Sequence, residues 1–258
     1  MKAPRVTLEQ WRTLQAVIDH GGFAQAAEAG TVLLRRSRQL LSQASQLEML
    51  ATEMELGWEP EVRLVVDAAY PTERLASALR AFMPQSRGCR VQLREEVLSG
   101  VEDCLLDGSA DLAISGLSIA GFLPQQLNSV DFVAVAHPEH PLHQLQRSLT
   151  HDDLQGHLQI VIRDSGQHKP RDSGWLGAEQ RWTVASLGTA ARMVASGLGF
   201  AWLPCHEIRH LINDGKLKAL PLEKGANRSV PLFLYANKDR PVGPATRILA
   251  DLIIEHSM

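Results

Sequence analysis

The 258-residue sequence predicts an α/β protein in two lobes, preceded by a helical N-terminal segment. Three observations carry that expectation. Up to Leu56 the apolar residues recur at helical spacing. After Gly57 and Pro60 the period changes, and short apolar runs alternate with helical segments, the pattern of parallel βαβ units. That alternation pauses and resumes, which two α/β lobes joined by two crossover strands explain economically.

The N-terminal elements come first. Thr7 stands three residues before Gln10, a capping-box pattern that starts a helix. Leu8, Trp11, Leu14, Val17 and Ile18 then mark one apolar face. Gly21-Gly22 ends that helix, and Phe23–Glu28 is a short alanine-rich second one, small enough in side chain for close helix packing. From Thr31 to Leu56 there is no Gly or Pro. Leu33, Leu40, Leu47 and Met54 are spaced by seven, with Ser37, Ala44 and Ala51 four residues after the first three. This heptad seam suits a close helix pair and is read as a dimerisation helix, with Arg35, Arg36 and Arg38 on its solvated face.

Strands are expected at Val62–Val66, Val91–Val97, Ala110–Ser115, Val130–Ala136, Leu158–Ile162, Trp182–Ala185, Phe200–Leu203 and Val230–Tyr235. Helices are expected at Thr72–Phe82, Gly100–Leu106 and Ala245–Glu255. The boundaries that follow are 1–29 and 30–57 for the helical segments, 58–134 with 237–258 for the first lobe, and 135–236 for the second.

Composition narrows the function classes. Hydrophobic residues make up 45% and charged residues 21%, so a sizeable core is available. No apolar run approaches a membrane span. The N-terminus MKAPRVTLEQWRTLQ lacks an apolar signal core, so a cytoplasmic protein without membrane contact is expected. Cys89, Cys104 and Cys205 are scattered and odd in number, which fits a reducing compartment. Residues 1–59 hold six basic and seven acidic side chains, a net −1. Nucleic-acid readers are normally basic there, because Lys and Arg neutralise phosphates.

Several segments carry a family resemblance. LEQWRTLQAVIDHGGFAQAAEA resembles the opening of a LysR-type transcriptional regulator, and AGTVLLRRSRQLLSQASQLE resembles that family's linker helix. SGVEDCLLDGSADLAISGL is similar to the first lobe of its effector region, VAVAHPEHPL to its crossover, and VASLGTAARMVASGLGFAWLP to the helix-turn-strand of its second lobe. The resemblance implies a type 2 periplasmic-binding-protein-like effector domain behind a winged helix-turn-helix and a linker helix. It implies a small-molecule effector, DNA, and a homodimer or homotetramer as partners, with no cofactor, no metal and no catalysis. One part of the pattern is missing. Glu28-Ala29-Gly30 serves at once as the end of the second helix and the end of the wing. A truncated reader, without the recognition helix that enters the major groove, is therefore expected to be impaired in DNA binding.

By motif position the resemblance carries the effector site to Ala68, Ala69 and Tyr70 at the exit of the first strand. Ser99 follows at the second strand's exit, Val133 in the crossover, Arg163 at the exit of the second lobe's first strand, and Ser186 and Leu187 at a helix start. Strand exits and helix N-termini expose N–H groups that hold anions and polar groups. Ser99 has a second reading: with Glu102 three residues on, it forms a capping-box pattern. Arg163 is read more simply as a solvated surface arginine.

Other motifs suggest different classes. His206-Glu207-Ile208-Arg209-His210 is a literal H-E-x-x-H, the spacing of a zinc hydrolase. No third ligand pattern follows, so a helix whose Ile208 and Leu211 face the core is expected instead. His137, His140 and His143, separated by Pro138 and Pro141, are expected in a solvated loop. A two-lobed solute-binding protein would share the architecture but would not need the Thr31–Leu56 helix.

Overall fold

Two compact units divide the chain, residues 1–60 and 61–258. The computed structural model describes residues 10, 11, 35, 36, 38–44, 57–238 and 242–257. In the first unit Gln10, Trp11, Arg35, Arg36 and 38–44 are helical, with Arg35, Arg36, Arg38 and Leu40 exposed. The Thr7 capping box, the Glu28–Gly30 junction and the heptad positions Leu33, Ser37, Leu47, Ala51 and Met54 lie outside the described residues.

The second unit begins with β1 (Glu61–Asp67), whose Val62, Leu64, Val65 and Val66 are all buried. An apolar run of this kind belongs to a strand covered on both faces. It is followed by α1 (Thr72–Phe82), which buries Leu75, Ala78 and Phe82, spaced to form one helical face. Next come β2 (Arg90–Glu96), α2 (Ser99–Leu106) and β3 (Leu112–Ser115). β2 pairs with β1 in parallel over its whole length, and β3 takes the other side of β1, also in parallel. As the edge strand, β2 is the more polar and exposed of the three.

The chain then crosses on β4 (Gln125–Ala136) into the second lobe, through α3 (Pro141–Gln144), α4 (His151–Gln155), β5 (Gln159–Ile162) and β6 (Arg181–Val184). There follow α5 (Leu187–Ala195), β7 (Phe200–Pro204), α6 (Cys205–Asn213) and the short β8 (Lys218–Ala219). β9 (Asn227–Ala236) returns the chain to the first lobe, where α7 (Pro244–Ser257) packs on α1. The sheet order is β2-β1-β3-β9-β4-β7-β5-β6, with β8 beside β4. β5 pairs in parallel with β6 and β7, so each lobe carries its own parallel core.

The crossovers are antiparallel to each other, and their register shifts between Gln126 and Ser129. Each strand serves both lobes. β9 pairs with β3 through Phe233–Ala236, while β4 pairs with β7 through Phe132–Ala136. One glycine lets the second lobe close up: Gly199 has φ +69°, and a Cβ there would stand 2.9 Å from the Leu158 carbonyl carbon.

Three sequence expectations change on this scaffold. The histidine segment is not a plain solvated loop. His140 is buried, its Nδ1 accepts from the Leu142 N–H at 3.3 Å to cap α3, and its ring tilts against His157 at 5.0 Å. α2 starts at Ser99 with Leu98 as its N-cap, and no side chain caps it, so the Ser99–Glu102 capping box does not form. The two short helices α3 and α4 were not anticipated, because each is a single turn fixed by its caps rather than by an apolar face.

The H-E-x-x-H segment lies on α6. Ile208 is fully buried and Leu211 packs against the same core, while His206 is half-buried and His210 exposed. Among the described residues, no group of three His, Cys, Asp or Glu side chains is placed to hold a metal ion.

Candidate functional site

A cleft of about 320 Å³ lies between the lobes. That is the lower end of the size range for small-molecule sites. The first lobe supplies the exits of two adjacent strands: Asp67, Ala68 and Ala69 after β1, and Val97 and Leu98 after β2. The second lobe supplies β5, with Gln159 to Ile162, and Leu187 from the start of α5. Phe132 of β4 and Arg228 of β9 close the side formed by the crossover strands. Strand exits converge here because both lobes are parallel sheets, which direct their C-terminal edges to one place.

The second lobe's wall is aromatic. His151 stacks on Trp175 at 5.4 Å and 12°, and Trp175 lies 5.9 Å from Trp202. Phe200 meets Trp202 edge-on at 5.8 Å. The Trp202 indole N–H donates to the Gly225 carbonyl at 2.8 Å, so this ring is fixed at both its edge and its face. Gly177 makes room for Trp175, since a Cβ there would come within 2.6 Å of the indole ring.

The polar side chains that line the cleft are Asp67, His151, Gln159, Ser173, Asn227 and Arg228. Asp67 is buried, and its Oδ1 accepts from the Ala69 N–H at 2.9 Å. Burial pushes its carboxyl above the usual range, against the backbone N–H groups of Ala69 and Leu98 that favour the charged form. Gln159 is buried, and its Nε2 donates to the Trp175 carbonyl at 2.7 Å while its Oε1 has no hydrogen-bond partner. Arg228 donates to Ser173 Oγ at 2.9 Å and lies 5.5 Å over the Phe132 ring.

Beside the cleft, a loop of the second lobe docks on the N-terminus of α2. Asp164 accepts from the Ser99 N–H at 3.1 Å and from Ser99 Oγ at 2.7 Å. Its remaining lone pairs take Gly166 N at 2.8 Å and Arg171 N at 2.6 Å. Ser165 Oγ accepts from the Val97 N–H at 2.8 Å, Arg171 pairs with Glu102 at 2.7 Å, and His168 with Asp103 at 3.1 Å. Glycine permits this approach: a Cβ on Gly166 would stand 2.9 Å from the Ser99 carbonyl carbon.

Of the residues the family pattern points to, Ala68, Ala69 and Leu187 line the cleft together. Tyr70 is buried beneath it, its hydroxyl 2.6 Å from Ser257 Oγ. Ser99 is held by Asp164 at the cleft's edge. Val133 sits in the second lobe's core, with its neighbour Phe132 on the cleft. Arg163 is exposed and lines, with Arg171 and Arg181, a polar hollow that adjoins the cleft across Val161, Ile162, Ser173 and Leu176. Ser186 caps α5, its Oγ accepting from the Thr189 N–H at 3.2 Å.

Sequence reading did not single out Asp67, Leu98, Gln159, Trp175, Trp202 or Arg228. A signal existed for Trp175, a lone aromatic in the Gly-, Ser- and Pro-containing stretch 165–177, where no core pattern demands one. Leu98 also stands apart: at φ +50° and ψ −113° it is a non-glycine residue in a costly conformation between Val97 and α2, at the cleft's edge.

Residues 56–258 match the LysR substrate binding domain. The chain is 28% identical over 215 residues to YeeY of Escherichia coli K12, described as an uncharacterized HTH-type transcriptional regulator, covering 81% of this chain and 70% of that protein. It is 27% identical to the probable HTH-type transcriptional regulator YhaJ of the same organism, covering 86% of this chain and 88% of the relative. Among solved structures, full-length LysG of Corynebacterium glutamicum with bound effector Arg superposes with a TM-score of 0.59 at 15% identity, over 98% of both chains. The effector binding domain of QuiR in complex with shikimate superposes with a TM-score of 0.60 at 13% identity, over 77% of this chain and 97% of that one. YeeY and YhaJ are both described as HTH-type transcriptional regulators, which points away from a hydrolase. With the domain match spanning most of the chain and a cleft between two parallel-sheet lobes, the protein belongs to the LysR family of transcriptional regulators.

Proposed function

We propose that this chain is a cytoplasmic sensor that binds a small molecule between residues 58–134 with 237–258 on one side and 135–236 on the other. Ala68, Ala69 and Leu187, together with Trp175 and Trp202, contact the molecule. The observation that carries this reading is the largely apolar cleft at the convergence of both lobes' strand exits. Binding shifts the population of lobe arrangements, and the linker helix of residues 30–57 passes that shift to a second copy of the chain. Homodimerisation rests on its heptad seam.

The reader segment, residues 1–29, is impaired. Its sequence lacks the recognition-helix pattern between Glu28 and Gly30, and its net charge is not positive. The chain thus senses a small molecule without reading a specific operator. Selection of bound duplexes from random DNA with the full chain tests this. No enriched sequence is expected, and a dyad-symmetric site held at nanomolar affinity would overturn it. Thermal-shift screening of the wild type against Ala68→Trp tests the sensing half: ligands that raise the melting temperature of the first should leave the filled-cleft variant unmoved.

A further inference from the structure

The polar groups around the cleft restrict the chemistry of its occupant, an inference that rests on the cleft being the sensing site. The N-terminus of α2 is the natural place for an anion, since N–H groups and the helix dipole both favour negative charge there. In this chain it is filled from within. The Asp164 carboxylate takes both the Ser99 N–H and Ser99 Oγ, and its own loop completes its coordination through Gly166 and Arg171. The arginine that lines the cleft, Arg228, is engaged by Ser173 and by the Phe132 ring.

What remains inside includes two buried acceptors beside an aromatic wall. Gln159 Oε1 is buried and accepts nothing, and the Trp175 carbonyl fixes the amide so that oxygen, not nitrogen, is the open end. A buried acceptor without a donor is costly, so a ligand N–H there is favoured beyond its ordinary worth. Asp67 stands on the opposite lobe, a buried carboxyl group with capacity beyond the backbone N–H groups of Ala69 and Leu98. Trp175 and Trp202 line the cleft side by side, their rings 5.9 Å apart and tilted at 51° to each other, and together offer one aromatic wall.

We propose that the cleft takes a flat heteroaromatic molecule, neutral or cationic, bearing N–H donors at its edge, and not an organic anion. The rings stack on the tryptophan wall, and the donors go to Gln159 Oε1 and Asp67.

Calorimetric titration of the full chain with matched probes tests this: 2-aminobenzimidazole and 2-aminoquinoline against benzimidazole-2-carboxylate and quinoline-2-carboxylate. At least one amine is expected to bind, with its carboxylate partner about tenfold weaker or worse. Gln159→Met and Asp67→Asn should each weaken the amine by about tenfold. A carboxylate that binds as tightly as its amine, with binding abolished by Ala68→Trp, overturns the proposed chemistry and leaves the sensing cleft intact. Amine binding unaffected by both Gln159→Met and Asp67→Asn overturns the donor assignment. Failure of all four probes overturns the chemistry and counts against the cleft itself.

Discussion

The two lobes place a serine at the same kind of junction, where a parallel strand gives way to a helix, and use it in opposite ways. In the second lobe Ser186 does what local chemistry predicts: its Oγ caps α5 through the Thr189 N–H, and it stays exposed. In the first lobe Ser99 is buried, caps nothing within its own helix, and gives its N–H and hydroxyl to a carboxylate of the other lobe. The residue type is identical. The difference is the docked loop, and it shows that a helix start at an interlobe cleft belongs to the assembly of both lobes, not to its own helix.

Breaking that contrast should have graded consequences. Asp164→Ala leaves the buried Ser99 groups without their charged partner and is expected to cost about 3 kcal/mol. Gly166→Ala should act similarly, because its Cβ would meet the Ser99 backbone at 2.9 Å. Both should raise hydrogen exchange at residues 97–103, and unchanged protection there would show that the loop does not hold the lobes. Ser99→Ala removes one charge-assisted bond and should cost about 2 kcal/mol in denaturant titrations. Ser186→Ala loses only a cap, about 1 kcal/mol, and should leave protection of the first lobe untouched. Equal effects of the two serine variants would erase the proposed distinction. Arg171→Ala deletes a partly exposed ion pair with Glu102 and is expected to cost less than about 1 kcal/mol.

Acid should separate the lobes further. In the second lobe burial, then the charges of His157, His143 and His137, push His140 down to about 4. The unfolded chain takes up that proton near pH 6.5, the folded one only near 4, so stability falls as the pH drops through this window. Thermal melts at pH 7 and pH 5 should show the loss. His140→Asn, which keeps an acceptor for the Leu142 N–H, should shrink it. In the docking contact burial raises the Asp103 carboxyl, but the N–H groups of Gln167 and His168 outweigh that and hold it below the usual range. Its contribution is present above the ordinary aspartate pKa of about 4 and disappears as the pH falls further. The second lobe should therefore weaken before the loop releases.

Much of the architecture was legible because it rests on periodicity. Strands buried on both faces read as apolar runs, and α1 emerged with its expected limits because Leu75, Ala78 and Phe82 recur on one face. Burial patterns are local, and so is the capping at Ser186. The cleft's lining was less legible. Ala68, Ala69 and Leu187 followed from the family resemblance by motif position, whereas Trp175, Trp202 and Gln159 come from a loop and two strands far apart in sequence.

What the chain determined by itself, then, is the order of strands and helices, the two-lobed α/β class and the family pattern. Only the tertiary structure decided which polar groups face each other. Asp164 lies 65 residues from Ser99, and no spacing rule connects them. Desolvation makes the difference: once the lobes exclude water, an unpaired acceptor such as Gln159 Oε1 acquires a cost that a linear sequence does not reveal.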